Sequence, residues 1–398
     1  MRRRTLLGTT AGVLTAGIAG CSGDGDPETG DPASTEADAE SDTATPEPTA
    51  TDSSYTASIV PVGEVTFEEV PETYLCYNGA YADMAFALGK RDGFGTANAM
   101  IPGFFFEPFG LDVPAGSELP ALWQGSGWAE EVFYEIDPDV MLMDPNMLHG
   151  TGWDDSWGES DTTELRENVA PFFGNNCRRR REFHDYELYS LYGAFERVAE
   201  AFQERERFEA MRTVHNEMLA DVQSRIPEGG TEIGLINGGS DPSKGTFYPM
   251  NTGSEGYEMK PYRDLNVGSA FPEDTAGQID YERLLAVDPE IIVVHWGIGT
   301  TTKGTDGFDP EAFRQAYVEP MENDDVGSQL TAVQNGRVYP GQYGEQGPIT
   351  NLLQTEMTAQ QLYPEEFGEF DPNAFPEVPE ENSLFDRERV REIIAGEA

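Results

Sequence analysis

The sequence predicts an α/β protein of two lobes, each with a parallel sheet built from strand–helix–strand units, joined by a single long helix. Three observations carry this. After residue 60, apolar strand-like runs alternate with segments of helical period. The alternation is interrupted by a block, 186–228, with helical spacing only, and it restarts at Thr231. Strands alternating with helices imply parallel units with crossover connections.

The elements follow in order. The run 73–77 is short and apolar, ends in Asn78-Gly79 and leads to a helix-like stretch, 81–88. Residues 129–136 have helical spacing and 137–143 form a second strand; 170–174 reads as a third, shorter one. In the helical block, Leu191, Phe195, Val198 and Phe202 share one face. The phase slips near Arg205 and resumes with Phe208, Met211, Val214, Met218, Val222 and Ile226, so two helices are expected, the second over about 205–226 and stopped by Pro227. Strand 231–236, a short helix 281–285, a strand 291–294 apolar enough to be central, and a last strand 336–339 then follow. Helix 349–362 and a terminal helix 383–395, with Ser383 as its N-cap, close the chain.

The ends and the composition set the surroundings. Arg2-Arg3-Arg4-Thr5-Leu6-Leu7, a 14-residue apolar run and Ala19-Gly20-Cys21 read as an export signal, too short for the ~20 residues that span a bilayer. A non-cleaved anchor with an incidental cysteine is the other reading. The paired arginines resemble a twin-arginine signal, and Cys21 resembles the lipidated cysteine of a lipoprotein box. The expected layout is signal 1–20, a Ser/Thr/Asp/Pro-rich disordered tether 21–54, an N-terminal lobe 55–185, the block 186–228 and a C-terminal lobe 229–398. The formal charge is −48, and −51 without the three leader arginines. Such a chain repels itself in dilute buffer but not in molar salt, where the Debye length is ~3 Å, so it reads as a halophile's protein of haloarchaeal type. The same acidity excludes nucleic acid as a partner. Cys76 and Cys177 flank apolar runs and are either buried thiols or a disulfide. No zinc-ligand spacing occurs.

Several phrases together name a family. Asp288-Pro289-Glu290 before Ile291-Ile292-Val293-Val294 resembles the helix–turn–strand that introduces the second-lobe core strand of metal-chelate binding proteins. Glu135-Ile136-Asp137-Pro138-Asp139-Val140-Met141-Leu142 repeats it in the first half. The stretch 330–339 resembles that family's last strand with its lead-in, and 359–367 its closing helix. From about 60 to 395 the chain is similar to substrate-binding lipoproteins of ABC importers for ferric siderophores, haem and cobalamin. The resemblance implies a ligand cleft between the lobes, small opening motions, no catalysis, no cofactor, a monomer, and a lipid-anchored place on the outer face of the cell membrane. It implies two partners, a ferric siderophore or similar metal chelate and an ABC permease with its ATPase. Acidic residues on the lobe tips would meet the permease, and Glu159 and Glu311 are the candidates. The aromatic insert 94–128 departs from the family pattern.

Ligands of open α/β sheets meet the carboxyl ends of strands. That places Tyr77, Asn78 and Tyr81 after the first strand, and His149, Trp153 and Trp157, with Asn146, after the second. In the second half it places Asn237 with Tyr248, His295 with Trp296, and Tyr343 with Glu345 and Gln346. Such aromatic and polar groups suit a large, partly apolar chelate. His149 and His295 would either ligate a metal or hydrogen-bond its chelate. His184 and His215 fall in helical context and read as structural. Arg178 and Arg179 open a run of four arginines that would hold a carboxylate-bearing chelate or pair with surrounding acids. No nucleophile elbow or P-loop occurs. The rivals to an import receptor are a surface sensor or adhesion module on the same fold and a chelate-processing enzyme.

Overall fold

The computed structural model describes residues 54–275, 277–301 and 307–397. The export signal, Cys21 and the tether up to residue 53 lie outside the described residues. No helix among the described residues is long and apolar enough to cross a membrane.

A hairpin of β1 (Tyr55–Ile59) and β2 (Gly63–Phe67) opens the body. The first sheet is parallel, in the order β4 (Phe94–Ala99), β3 (Tyr74–Asn78), β7 (Val140–Leu142). β3 is central and buried at all five positions, which is why it reads as an unbroken apolar run rather than an alternation. Between β4 and β7 lie three single 3₁₀ turns, Gly103–Phe105, Glu107–Phe109 and Gly116–Glu118, and a small hairpin of β5 (Trp123–Gln124) and β6 (Gly127–Trp128). The expected strand at 170–174 reduces to one parallel bridge, Phe172 to Met141, because Pro171 leaves little ladder to extend.

The second sheet is also parallel, in the order β11 (Val338–Pro340), β10 (Ile292–His295), β8 (Thr231–Asn237), β9 (Val267–Ser269). β10 is inner and fully buried, as its composition predicts. β9 has no apolar run to announce it. Two helices, α2 (Glu130–Ile136) and α6 (Tyr281–Val287), introduce β7 and β10. Each ends on an aspartate in the left-handed region, Asp137 at φ 47° and Asp288 at φ 45°, followed by proline. The repeated Asp-Pro phrase is therefore one structural device used twice: a left-handed cap, then a residue that cannot continue the helix.

Between the sheets run α4 (Leu191–Ala201), N-capped by Ser190, and the long α5 (Arg205–Arg225). Phe208, Met211, Val214, Met218 and Val222 are buried along α5, at the predicted spacing. Residues 186–190 are irregular, so His184 lies before the helices and not within them. The terminal helix, α8 (Arg387–Ala395), begins later than expected: Asp386 accepts from the Arg389 amide at 3.0 Å, while the Ser383 hydroxyl turns to the Phe385 carbonyl. Asp386 is the N-cap because its carboxylate sits next to the first turn, three residues past Ser383. One helix stands apart. All fifteen residues of α7 (Pro348–Leu362) are buried, although Thr350, Asn351, Gln354, Thr355, Glu356, Thr358, Gln360 and Gln361 are polar. It packs against α1 (Gly79–Ala87) of the first lobe, itself buried on every side.

Candidate ligand cleft

The strand ends of the two sheets converge on a cavity of about 1210 Å³, at the upper end of what a small-molecule site offers. Its first-lobe wall is the insert, from Met100 to Phe104, Glu107, and from Asp112 to Glu118; its second-lobe wall is Asn237, Gly238, Gly239, Trp296, Gly299 and Tyr343. Smaller hollows lie elsewhere, among them one of about 290 Å³ beside His149 and one of about 480 Å³ at the β11 edge.

A buried charged network joins the lobes beside this cavity. Arg178 donates to Glu258 and to Glu345, both at 2.6 Å, and its guanidinium lies 4.9 Å from the Trp296 ring centre. His295 Nε2 is 3.2 Å from Glu258. Tyr257 donates to Glu345, and Asn78 donates to the Tyr257 hydroxyl at 3.0 Å. Burial works against every charge here. It lowers the His295 pKa, so the ring is neutral and its Nε2–H donates a hydrogen bond to the Glu258 carboxylate; Nδ1 then has no hydrogen-bond partner among the described residues. Burial opposes the Glu258 charge as well, yet His295 and Arg178 hold that carboxyl well below the usual carboxylate range. The Glu345 carboxyl is instead raised by burial despite Arg178. Arg178 stays charged against its own desolvation because Glu345 and Glu258 flank it.

The neighbouring arginines are less engaged. Arg179 reaches Glu258 only at 3.8 Å and is 47% exposed. Arg181 lies 5.0 Å from the ring centre of the exposed Trp153, and its buried Nε has no hydrogen-bond partner among the described residues. Burial and then the nearby Arg179 lower the Arg181 pKa. Arg180 pairs outward with Glu255.

Trp296 is held rather than resting. Its backbone sits at φ 68°, uncommon for a bulky residue, and Tyr343 meets it edge-on at 4.7 Å. A Cβ at Gly344 would fall 2.1 Å from the indole, so only glycine leaves that slot open. Tyr343 also donates to the Met100 carbonyl at 2.8 Å, which ties the cavity's two walls.

The structure thus brings together Asn78, Arg178, Arg179, His295, Trp296 and Tyr343, with Asn237 on the cavity wall. Asn237 is braced by Met250 and accepts from the Gly239 amide. Tyr248 follows on an exposed loop. Tyr77 is buried against Trp128, its hydroxyl pushed up to about 12 by burial. Tyr81 turns inward to the Asn175 backbone. Trp157 and His149 both bond the Thr162 hydroxyl inside the first lobe. Glu159 is exposed at the N-terminus of helix α3 (Glu159–Asn168), and Glu311 is exposed on a short turn of the second lobe. Cys76 and Cys177 are buried and unbonded. Glu258 and Tyr257 escaped the sequence reading because one acid among 73 Asp and Glu gives no signal. Asp83 escaped it as well, although a lone charge in the apolar run from Ala80 to Leu88 is a usable signal.

Comparison with known proteins agrees with this architecture. The family profile described as periplasmic binding protein matches residues 76–342, more than half of the chain. A periplasmic binding protein from Veillonella parvula aligns with a TM-score of 0.52 at 14% identity, covering 78% of this chain and 97% of that one. The petrobactin-binding protein YclQ from Bacillus subtilis gives 0.52 at 13%, covering 78% and 99%. The iron uptake ABC transporter substrate-binding protein PiuA from Streptococcus pneumoniae gives 0.50 at 14%, covering 76% and 96%. No curated protein matches the sequence.

Proposed function

Since the chain belongs to the periplasmic binding protein family, whose members bind solutes outside the cytoplasm and are not enzymes, we propose that it is the receptor of an ABC importer for a metal chelate. A ferric siderophore is the first choice, cobalamin or haem the next. The observation that carries this is the cavity of about 1210 Å³ at the facing strand ends, too large for a bare ion. Glu258 and Glu345 are both spent on Arg178, so the less engaged Arg179 and Arg181, which lie outside the cavity lining, would meet an anionic arm of the chelate that extends beyond it. In a chain of net charge −48, such a surplus of cations is a local exception that surface solvation does not account for.

The receptor would work as a monomer, exported through its arginine leader and tethered by lipid on Cys21. It would present Glu159 and Glu311 to the permease, and function in concentrated salt. The direct test is native mass spectrometry, in a volatile high-salt buffer, of protein purified from its host. A co-purifying iron, cobalt or haem chelate is expected, and adding ferric siderophores, haemin or cobalamin should change tryptophan emission. Binding of simple oxyanions with none of these chelates would refute the ligand class. Turnover of a bound chelate would make the protein an enzyme.

A further inference from the structure

The loop 341–347, between β11 and α7, carries much of the second lobe's side of the cleft. Tyr343 walls the cavity, Glu345 holds Arg178 and Tyr257, and Gln346 donates to the Tyr257 carbonyl at 2.7 Å. Bonds from Tyr257, Asn351 and Gln354 brace this loop from its own side, and one further restraint comes from the other lobe. Asp83, on α1, is 0% exposed and accepts from the amides of Gly347, Ile349 and Thr350 at 3.0, 2.9 and 2.9 Å. Those are orphan donors of the first turn of α7, which has no side-chain cap of its own. The approach is close: a Cβ on Gly347 would lie 2.5 Å from Asp83 Cβ and Cγ.

We propose that Asp83 is the positioning residue of the cleft, a first-lobe carboxylate that caps the second lobe's closing helix and so sets the loop that presents Tyr343 to the ligand and brings Glu345 to Arg178. Its meaning for ligand capture rests on the receptor reading above, but the placement of the loop can be measured without any ligand.

The charge state follows from the same geometry. Burial pushes the Asp83 carboxyl up to about 6, against the pull of the three amides. A carboxylate that binds its proton more tightly when buried than when exposed favours the closed junction below that pH and strains it above. The titratable and charged groups on the elements around α1 behave otherwise. Tyr74 and Cys76 of β3 and Tyr192 of α4 are raised by burial and stay neutral. His215 of α5 is lowered to about 4. Arg207 of α5 bonds the Leu88 carbonyl, Arg91 the Asp112 carbonyl, and Arg391 of α8 the Pro108 carbonyl. Lys90 pairs with Glu204, and Glu356 of α7 with Arg387. Across the loop, Glu345 also has a raised pKa and is controlled by Glu345→Gln.

The test is amide hydrogen exchange over residues 341–350 in the full-length protein at high salt, corrected for intrinsic rates. Asp83→Ala leaves three buried donors without an acceptor, and exchange there should quicken by at least about tenfold while β8 and β10 are unchanged. Asp83→Asn keeps the shape and one acceptor oxygen, enough for the Gly347 and Thr350 amides that share Oδ2 but not for the Ile349 amide on Oδ1; it should slow exchange at the first two relative to Asp83→Ala and remove the pH step near 6 that wild type and Glu345→Gln show. Unchanged loop exchange in Asp83→Ala, or a pH step persisting in Asp83→Asn, overturns the proposal. Should Asp83→Ala fail to fold, Gly347→Ala must loosen the same amides, and failure to do so is equally fatal. A second arm titrates haemin, cobalamin and a panel of ferric siderophores. If wild type binds none of them, the receptor reading falls while the loop result stands.

Discussion

The two lobes begin from the same phrase and end as different objects. Both use a helix, a left-handed aspartate and a proline to launch a core strand, and Asp137 and Asp288 differ by only 2° in φ, at 47° and 45°. In the second lobe the cap also works as a tie: the Asp288 carboxylate accepts from the Thr331 amide and hydroxyl, both at 2.8 Å. In the first lobe that work has moved to Asp139, which holds Glu72 and Thr73. The second sheet has four strands; the first has three and spends its remaining chain on the insert that walls the cavity. The same local chemistry thus launches a four-stranded sheet on one side and a three-stranded sheet with a long cavity wall on the other.

The strongest way to break this picture is to cut the link between the lobes. Arg178 precedes α4 and α5 in the chain, and both its carboxylates come from segments that follow them. Arg178→Met should therefore cost about 3–5 kcal/mol, because Glu258 and Glu345 stay buried without their partner. Denaturant unfolding at high salt measures it, and a loss below about 1 kcal/mol, the value of an exposed pair, would show the lobes to be coupled some other way.

The connecting helix supplies the next effect. His215 is lowered to about 4 by burial and by Lys260, so the folded state takes its proton less readily than the unfolded chain does. Its contribution is fully present above pH ~6.5 and is lost as pH falls toward 4, by about 3 kcal/mol in all. His215→Gln should flatten that acid limb, and an unchanged pH–stability curve would remove His215 from the account. The sign is opposite to that for Asp83, so the two groups partly offset each other between pH 6 and 4.

The smallest effect compares the lobes directly. Glycine relieves a left-handed position, so Asp137→Gly should stabilise by about 0.5–1 kcal/mol, since no tie is lost. Asp288→Gly gains the same relief but loses the Thr331 bonds, and should come out neutral or destabilising by about 1 kcal/mol. Equal shifts in melting temperature for the pair would mean that the extra tie contributes nothing.

Sequence periodicity revealed the scaffold wherever one face alone is buried, as along α4 and α5, and wherever a strand is buried on both faces, as in β3 and β10. It missed what has no period. β9 is three residues long and half exposed, and the 3₁₀ turns of the insert obey local packing of Phe104, Phe105, Phe106 and Phe109. Strand ends pointed to the loops where Asn78, His295, Trp296 and Tyr343 meet beside the cavity. They gave no hint that His295 faces Glu258 inside the protein, or that Arg178 is saturated, because both facts depend on acids brought from distant segments. α7 misled in the opposite direction: a helix of Thr, Gln, Asn and Glu has the composition of a surface, and only its neighbours on every side make it core.

That helix also sets an order in time. α1 lies near the beginning of the folded chain, yet it is enclosed by α7 and touched by α8, elements made some 260 and 300 residues later. A ribosome that has produced the whole first sheet has not produced the means to seal it. Until the last segment arrives, α1 keeps an apolar flank open and Asp83 has no amides to hold. Any message cut short near its end therefore yields a chain whose earliest-made lobe, not its missing tail, is the part left exposed.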